Sequence, residues 1–542
     1  MKRIAASAGI SVVFLLGFLI AIVACSRESK ESATSTQTGT STTAPKEQTP
    51  VYCTDTAVTV PCSTMPHNVA TNAGYNTVNM DAETQADFDN FSWQSFVALN
   101  WPSNPDGTPS TAPLGSPGPT VWDLYKRADD VFLPGGATPD SNYPTQLFPP
   151  PPPACTASNT LTNGVRPHVV QMFSKDDDEL NITDAFNEAA VNVPLIDSNG
   201  NFVAYDVAMN KDEFTYIFTK KYYNSNNQPP PTTTDPAYMV DFPPGVTGAA
   251  EGSIELKSAW KVLTAADDAS TYITRTMQLY VPEQNFCTPP LQMGLIGMHI
   301  IHKTEKENAW IWSTFEHVNN APLSSTPLPA EAKKPAGQCA PPASAPKMSL
   351  YNPACTLPDG KPCPLNVPPV QPGTKDIHWA TSQPYAKDYL TNGQYGTQVV
   401  RCSDIYKVDG GTASLNPQWQ QKVPKPYSSY MLIGSQWFAP SDFPPGTSTD
   451  TASVEYVNPD FPPGSIAAPP MLQNVSAETY LQNGTVLPGF SVGSCLGCHS
   501  GANGAQCEPA DFSFMLGRAK PVQPCQKEGH AATMQRMAAL KP

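Results

Sequence analysis

The run Gly493-Ser494-Cys495-Leu496-Gly497-Cys498-His499 has residue types and spacing suited to metal chemistry. Two thiols two residues apart, followed at once by an imidazole, form the C-x-x-C-H pattern through which a haem is attached to a chain. Each thiol adds across one vinyl group of the macrocycle, and two intervening residues let a single helical turn present both. His499 then lies where a ring nitrogen can take an axial position on the iron. The same residues can also be read as a structural disulfide, a redox C-x-x-C or half a zinc site. A redox motif should open a helix after a strand in a βαβ pattern, which the flanking sequence lacks. A zinc site needs a second Cys/His pair at matching spacing, and none follows.

The other axial position has several candidates. Of the eight histidines, His299, His302 and His317 fall within nineteen residues. His299 stands between Met298 and Ile300 in a continuous apolar run, so it is expected to be buried. A buried neutral imidazole needs a partner, and iron is one. His299 is therefore the candidate sixth ligand, with His317 as the first alternative and Met515 as the second. Met515 also sits at helical spacing from Phe512, which reads equally well as core, and any one of the three histidines can be a hydrogen-bonded sheet residue. Were His299, His302, Glu316 and His317 to converge, they would bind a second metal or line an open distal site.

The motif resembles the haem-attachment segment of bacterial c-type cytochromes, over residues 476–542 alone. That resemblance implies one covalent haem c held by Cys495, Cys498 and His499, and one-electron transfer to unidentified redox partners. Three further stretches, FSWQSFVALNWP at 91–102, GLIGMHIIHKT at 294–304 and WIWSTFEHV at 310–318, resemble segments of large single-haem bacterial cytochrome c family proteins. That family has no settled activity, so it adds no reaction. An electron carrier or redox subunit is the expected role rather than an enzyme. The alternative is a haem enzyme or ligand sensor whose large body supplies an open distal site or a second metal.

The start of the chain reads as a targeting signal. Lys2 and Arg3 precede an apolar run, Ile10 to Val23, that ends in Ile22-Val23-Ala24-Cys25. This resembles the lipobox of bacterial lipoproteins, which implies removal of residues 1–24 and acylation of Cys25. Several acyl chains hold a protein firmly on a membrane. Ser26, where an aspartate would retain the protein at the inner membrane, points to the outer membrane, with the body facing the periplasm or the surface. Residues 25–50, rich in Ser and Thr, read as a flexible tether.

Cysteine arithmetic fits an exported protein. Thirteen cysteines, less Cys25, Cys495 and Cys498, leave an even ten, and in an oxidising compartment these pair. Short loops favour Cys53–Cys62, Cys355–Cys363 and Cys507–Cys525. The net charge of −15 argues against nucleic acid and against anionic lipid surfaces as partners. Sixty prolines break helices and interior strands, so many loops and few long helices are expected.

The pattern places a helix at 81–101 and a hairpin with its turn at Asp197–Gly200. Strands are expected at 254–263, 272–281, 291–303, 310–318, 397–406 and 430–438. Residues 214–223 read as helix or strand. Short helices are expected at 476–482, 511–518 and 530–540. The predicted fold class is α+β: a β-rich, loop-rich body at 51–475, with disulfides, followed by a small α-helical haem c segment at 476–542.

Overall fold

In the computed structural model the described residues are 61–70, 82–144, 152–155, 168–171, 194–230, 239–281, 284–307, 310–329, 339–357, 359–367, 380–386, 398–407, 411–437 and 472–482. Near the C-terminus they are 495, 499, 502–506, 508 and 510–519. The signal segment, Cys25, the tether, Cys53, Cys498, Cys507, Cys525 and the expected helix at 530–540 lie outside them. Described strands are β1 Lys126–Arg127, β2 His168–Gln171, β3 Ala204–Met209, β4 Ile254–Val262, β5 Thr274–Val281, β6 Phe286–Cys287, β7 Leu291–His302, β8 Ile311–His317, β9 Leu323–Leu328, β10 Arg401–Ser403 and β11 Tyr430–Trp437. The helices are α1 Ala82–Leu99, α2 Ala128–Val131, α3 Lys211–Lys220 and α4 Thr412–Gln420. The architecture is mixed and β-rich, as the sequence pattern predicts.

Strand β7 is the branch point of a nine-stranded sheet. One edge pairs with β4 along its length, and β3 and β1 follow outward. Along the other edge, residues 291–294 pair with β5 and residues 297–302 pair with β8. Beyond β8 lies β11. All these pairings are antiparallel; β2 joins β5 in parallel. Where β5 and β8 part, Tyr430 fills the gap: its hydroxyl donates to the Leu295 carbonyl at 2.8 Å and accepts the Ile273 N–H at 2.9 Å. The backbone groups exposed by the fork are thus satisfied by one side chain.

The two faces of this sheet follow from the period of two along a strand. Met298, Ile300 and His302 point to one face with Phe315, Leu256 and Ala208; there α1 and α4 pack. The sequence pattern gives α1 one apolar stripe, but the helix is buried nearly all round. Its polar residues are therefore paired. Gln85 donates to Asp89 and to Ser435 (2.9 and 3.0 Å), and the Ser92 and Ser313 hydroxyls meet at 2.7 Å. In the centre Trp93 stacks on Trp419 and meets Phe96 and Phe315 edge-on, while Phe96 and Phe315 stack on each other. Helix α4 was not expected, because Pro417 lies inside it. Burial of Leu415 and Trp419, and the Asn416 side chain bridging Trp93 and the Leu432 backbone, override the lost helical hydrogen bond.

The opposite face carries Gly297, His299 and Ile301, flanked by Lys257 and Glu255 of β4 and by Trp312, Thr314 and Glu316 of β8. The C-terminal part of the chain lies on it. Gly297 permits the approach: a Cβ there would come within 2.0 Å of the Ser476 hydroxyl. Asn474 donates to Thr314 and to the Phe315 carbonyl, both at 2.9 Å, and the Val475 N–H donates to Glu316 at 2.8 Å. Glu316 is fully buried and is held by a two-pronged ion pair with Arg401. The Ser476 carbonyl also accepts the Tyr205 hydroxyl at 2.6 Å. The stretches expected as helices at 476–482 and 511–518 hold only single 3-10 turns, Thr479–Leu481 and Met515–Arg518.

Three disulfides are described: Cys355–Cys363, as the short loop predicts, and Cys155–Cys287 and Cys339–Cys402, which span 132 and 63 residues. Cys62 is disulfide-bonded as well. No described helix is long and apolar enough to cross a membrane.

Candidate functional site

Cys495 and His499 are both helical and half-buried. Four residues apart, they share one helix face. Cys495 packs against the cluster that contains Val207, Ile301, Trp312, Phe512 and Met515. His499 is framed by Trp312 and Phe514, whose rings approach edge-on with centroids 6.2 and 5.0 Å away.

The tautomer of His499 follows from its bond. Nδ1 lies 2.6 Å from the Phe512 carbonyl. A carbonyl only accepts, so Nδ1 carries the proton and Nε2 keeps its lone pair. Enclosure by protein drives this imidazole down to about 4. The Phe512 carbonyl and Glu478 oppose that shift, while the charges of Lys257 and His299 add to it. At neutral pH the ring is uncharged and one nitrogen is ready to ligate, with a backbone acceptor fixing its orientation.

His299 belongs to the same electrostatic neighbourhood. Strand register sets it directly beside Lys257 on one side and Thr314 on the other. Its Nε2 lies 3.2 Å from Glu478 Oε1, and the two side chains form an ion pair. Burial pushes the Glu478 carboxyl up, but the charge of His299, with Lys257 and the Asn474 N–H, outweighs it and holds the group below the usual carboxylate range. One sheet face therefore gathers two imidazoles, an ammonium and a carboxylate around an aromatic wall.

The other histidines of the hairpin are settled elsewhere. His302 points to the α1 face, stacks on Phe91 with centroids 5.5 Å apart, and gives Nε2 to the Glu251 carbonyl at 2.7 Å. His317 ends β8 beside Tyr272 and Tyr430. Its Nε2 meets the Thr271 carbonyl at 3.0 Å, its Nδ1 accepts the Asn319 N–H, and its ring stacks on Tyr272 at 4.0 Å. Both of its nitrogens are hydrogen-bonded. Met515 is almost fully buried in the same apolar cluster that Cys495 touches, which fits its core reading. His299, His302, Glu316 and His317 do not converge, since the sheet divides them. Among the described residues no group of three or more His, Cys, Asp or Glu is placed to hold a metal ion.

The donor set tests whether a haem suits this place. Two soft thiols belong to the motif, one imidazole is locked in the ligating tautomer, and a second, His299, lies in the same electrostatic neighbourhood; this donor chemistry is of the kind that would hold a haem. Lys257, Glu478, Trp312 and Phe512 could not be picked from sequence. Lys257 enters only through the β4–β7 register, and Glu478 only through the loop laid over Gly297. No family model matches this chain, and neither the curated proteins nor the solved structures hold a match to it.

Proposed function

We propose that this chain is a c-type cytochrome of the bacterial cell envelope, anchored by lipid at Cys25 and engaged in one-electron transfer. Cys495 and Cys498 bind one haem covalently, within the small C-terminal haem c segment. His499 supplies the proximal nitrogen and His299 the sixth ligand. The iron of a bound haem supplies the reversible one-electron couple. The chain's own residues do the rest: Phe512 orients His499, Trp312 and Phe514 exclude water from it, and the sheet holds His299 in place. The observation that carries this reading is the His499 Nδ1 bond to a backbone carbonyl, which leaves Nε2 with its lone pair, in the electrostatic neighbourhood of a second imidazole, His299. The acidic chain suits a basic redox partner.

The experiment is the spectrum of purified full-length protein with pyridine and alkali, then of the reduced protein under carbon monoxide. A covalent haem c that resists carbon monoxide supports the carrier. Loss of all haem to acidic organic solvent overturns covalent attachment.

A second reading draws on the 3.2 Å approach of His299 to Glu478. A nitrogen turned to a carboxylate is withdrawn from iron, which would leave an open position beside an acid–base pair. Rapid carbon monoxide binding by the wild type selects this haem enzyme or ligand sensor over the carrier.

A further inference from the structure

The β7–β8 hairpin reaches His499 by a second route. Asp511 and Phe512 are consecutive non-glycine residues with left-handed backbones, at φ 50° and 62°. Such a pair is strained and persists only where its surroundings over-determine it. Here the turn is pinned from several sides. The Asp511 carboxylate accepts the Phe242 N–H at 2.9 Å and Lys303 Nζ at 2.6 Å. Its carbonyl accepts Trp310 Nε1–H at 2.9 Å. Ser513 donates to Glu255 at 2.6 Å. The product of this turn is the direction of the Phe512 carbonyl, which takes the His499 Nδ1 proton.

We propose that Lys303, Asp511 and Trp310 are positioning residues that fix the Phe512 carbonyl on His499 and so set the redox potential of the iron. The inference rests on the haem reading above. Lys303 directly follows β7 and Trp310 directly precedes β8. One hairpin therefore holds both axial histidines: His299 on its strand, and His499 through a clamped turn. A firm bond from Nδ1–H makes an imidazole a more basic ligand and favours the ferric state. Lys303 and Asp511 are both buried, so their attraction is little screened by water. This gives the large body a task beyond packaging.

The test uses the full haem-loaded chain. In Asp511→Asn the midpoint potential shifts upward and the His499 ring N–H exchanges faster in the ferrous protein. Trp310→Phe, which removes a single hydrogen bond to the same turn, shifts both in the same direction by less. Lys261→Met breaks a buried ion pair with Asp267 that touches none of these residues; it lowers stability and leaves the potential where it was. Should Asp511→Asn fail to fold, Trp310→Phe decides alone. A haem-loaded wild type whose potential and N–H exchange match those of the folded variants overturns the inference. A wild type without covalent haem overturns the functional reading, and this one with it.

Discussion

Strand β7 sends His302 and His299, three residues apart, to opposite faces of one sheet, and the two faces treat them differently. On the α1 side His302 is almost wholly buried, stacked on Phe91 and bonded to a backbone carbonyl. Burial drives its ring down to about 4, with the Glu251 carbonyl opposing. It is a neutral part of the core. On the other side His299 keeps some solvent contact and faces Lys257, Glu478 and His499. One face answers a polar ring with fixed backbone groups; the other answers it with groups that can change charge or ligation. The proposed haem chemistry would lie on the second face.

The largest effect should come from opening the closed face. Phe96 is fully buried and stacks on Phe315 with centroids 4.5 Å apart. Phe96→Ala should cost about 3–5 kcal/mol in denaturant unfolding, through lost transfer energy and the cavity left behind. The haem spectrum should not move, because the sheet lies between. A changed axial ligand spectrum in that variant would mean that the two faces are not separable.

An effect of comparable size per ring concerns pH. His302 and His317 are both held near 4, against 6.5 in an unfolded chain, by burial first. A depressed folded pKa means that the native state binds fewer protons than the unfolded state. The stability it contributes is complete above 6.5 and is lost as pH falls toward 4, by about 3 kcal/mol per ring. Asp89 and Asp197, raised by burial to about 6, act with opposite sign in the same window. The measurement is therefore a difference: unfolding free energy from pH 7 to 4 in wild type against a His302→Gln, His317→Gln double variant. The variant should lose less on acidification. Parallel curves would show that these rings do not carry the acid sensitivity.

How much of this was legible in sequence varies with the range of the interaction. The β7 and β8 strands were readable because continuous apolar, β-branched runs mark an interior strand, and α1 because its aromatic residues recur near helical spacing before Pro102. Helix α4 was hidden by Pro417, whose cost is offset by tertiary burial of Trp419. The parallel partner β2 gave no local signal. Cys355–Cys363 was readable from a short loop, whereas Cys155–Cys287 and Cys339–Cys402 depend on chain folding over 132 and 63 residues. The site divides in the same way. The motif residues announce themselves, and His299 stood out as an imidazole inside an apolar run. Lys257, Glu478 and Asp511 reach the site only through register, a loop crossing a glycine and a strained turn.

The smallest effect on stability should come from His299 itself, and it sharpens the comparison most. Its contact with Glu478 involves side chains that are only 13% and 23% exposed. Removing one member leaves a mostly buried charge unpaired and should cost about 1–3 kcal/mol, below Phe96→Ala on the other face. The consequence for the iron should be large all the same. On the proposed reading His299→Ala removes the sixth ligand, so the variant should become five-coordinate and high-spin and should take up carbon monoxide readily. The companion change His302→Ala, three residues along the same strand, should destabilise the fold and leave the iron low-spin. Glu478→Gln separates the two functional readings, since it removes the competing carboxylate charge while keeping its shape. A carrier should stay six-coordinate, with His299 freer to ligate. An enzyme that uses the pair for proton transfer should lose turnover with an unchanged resting spectrum. If His299→Ala instead keeps a low-spin spectrum identical to that of the wild type, His299 is not the sixth ligand. Met515, buried in the cluster that Cys495 touches, then becomes the residue to replace.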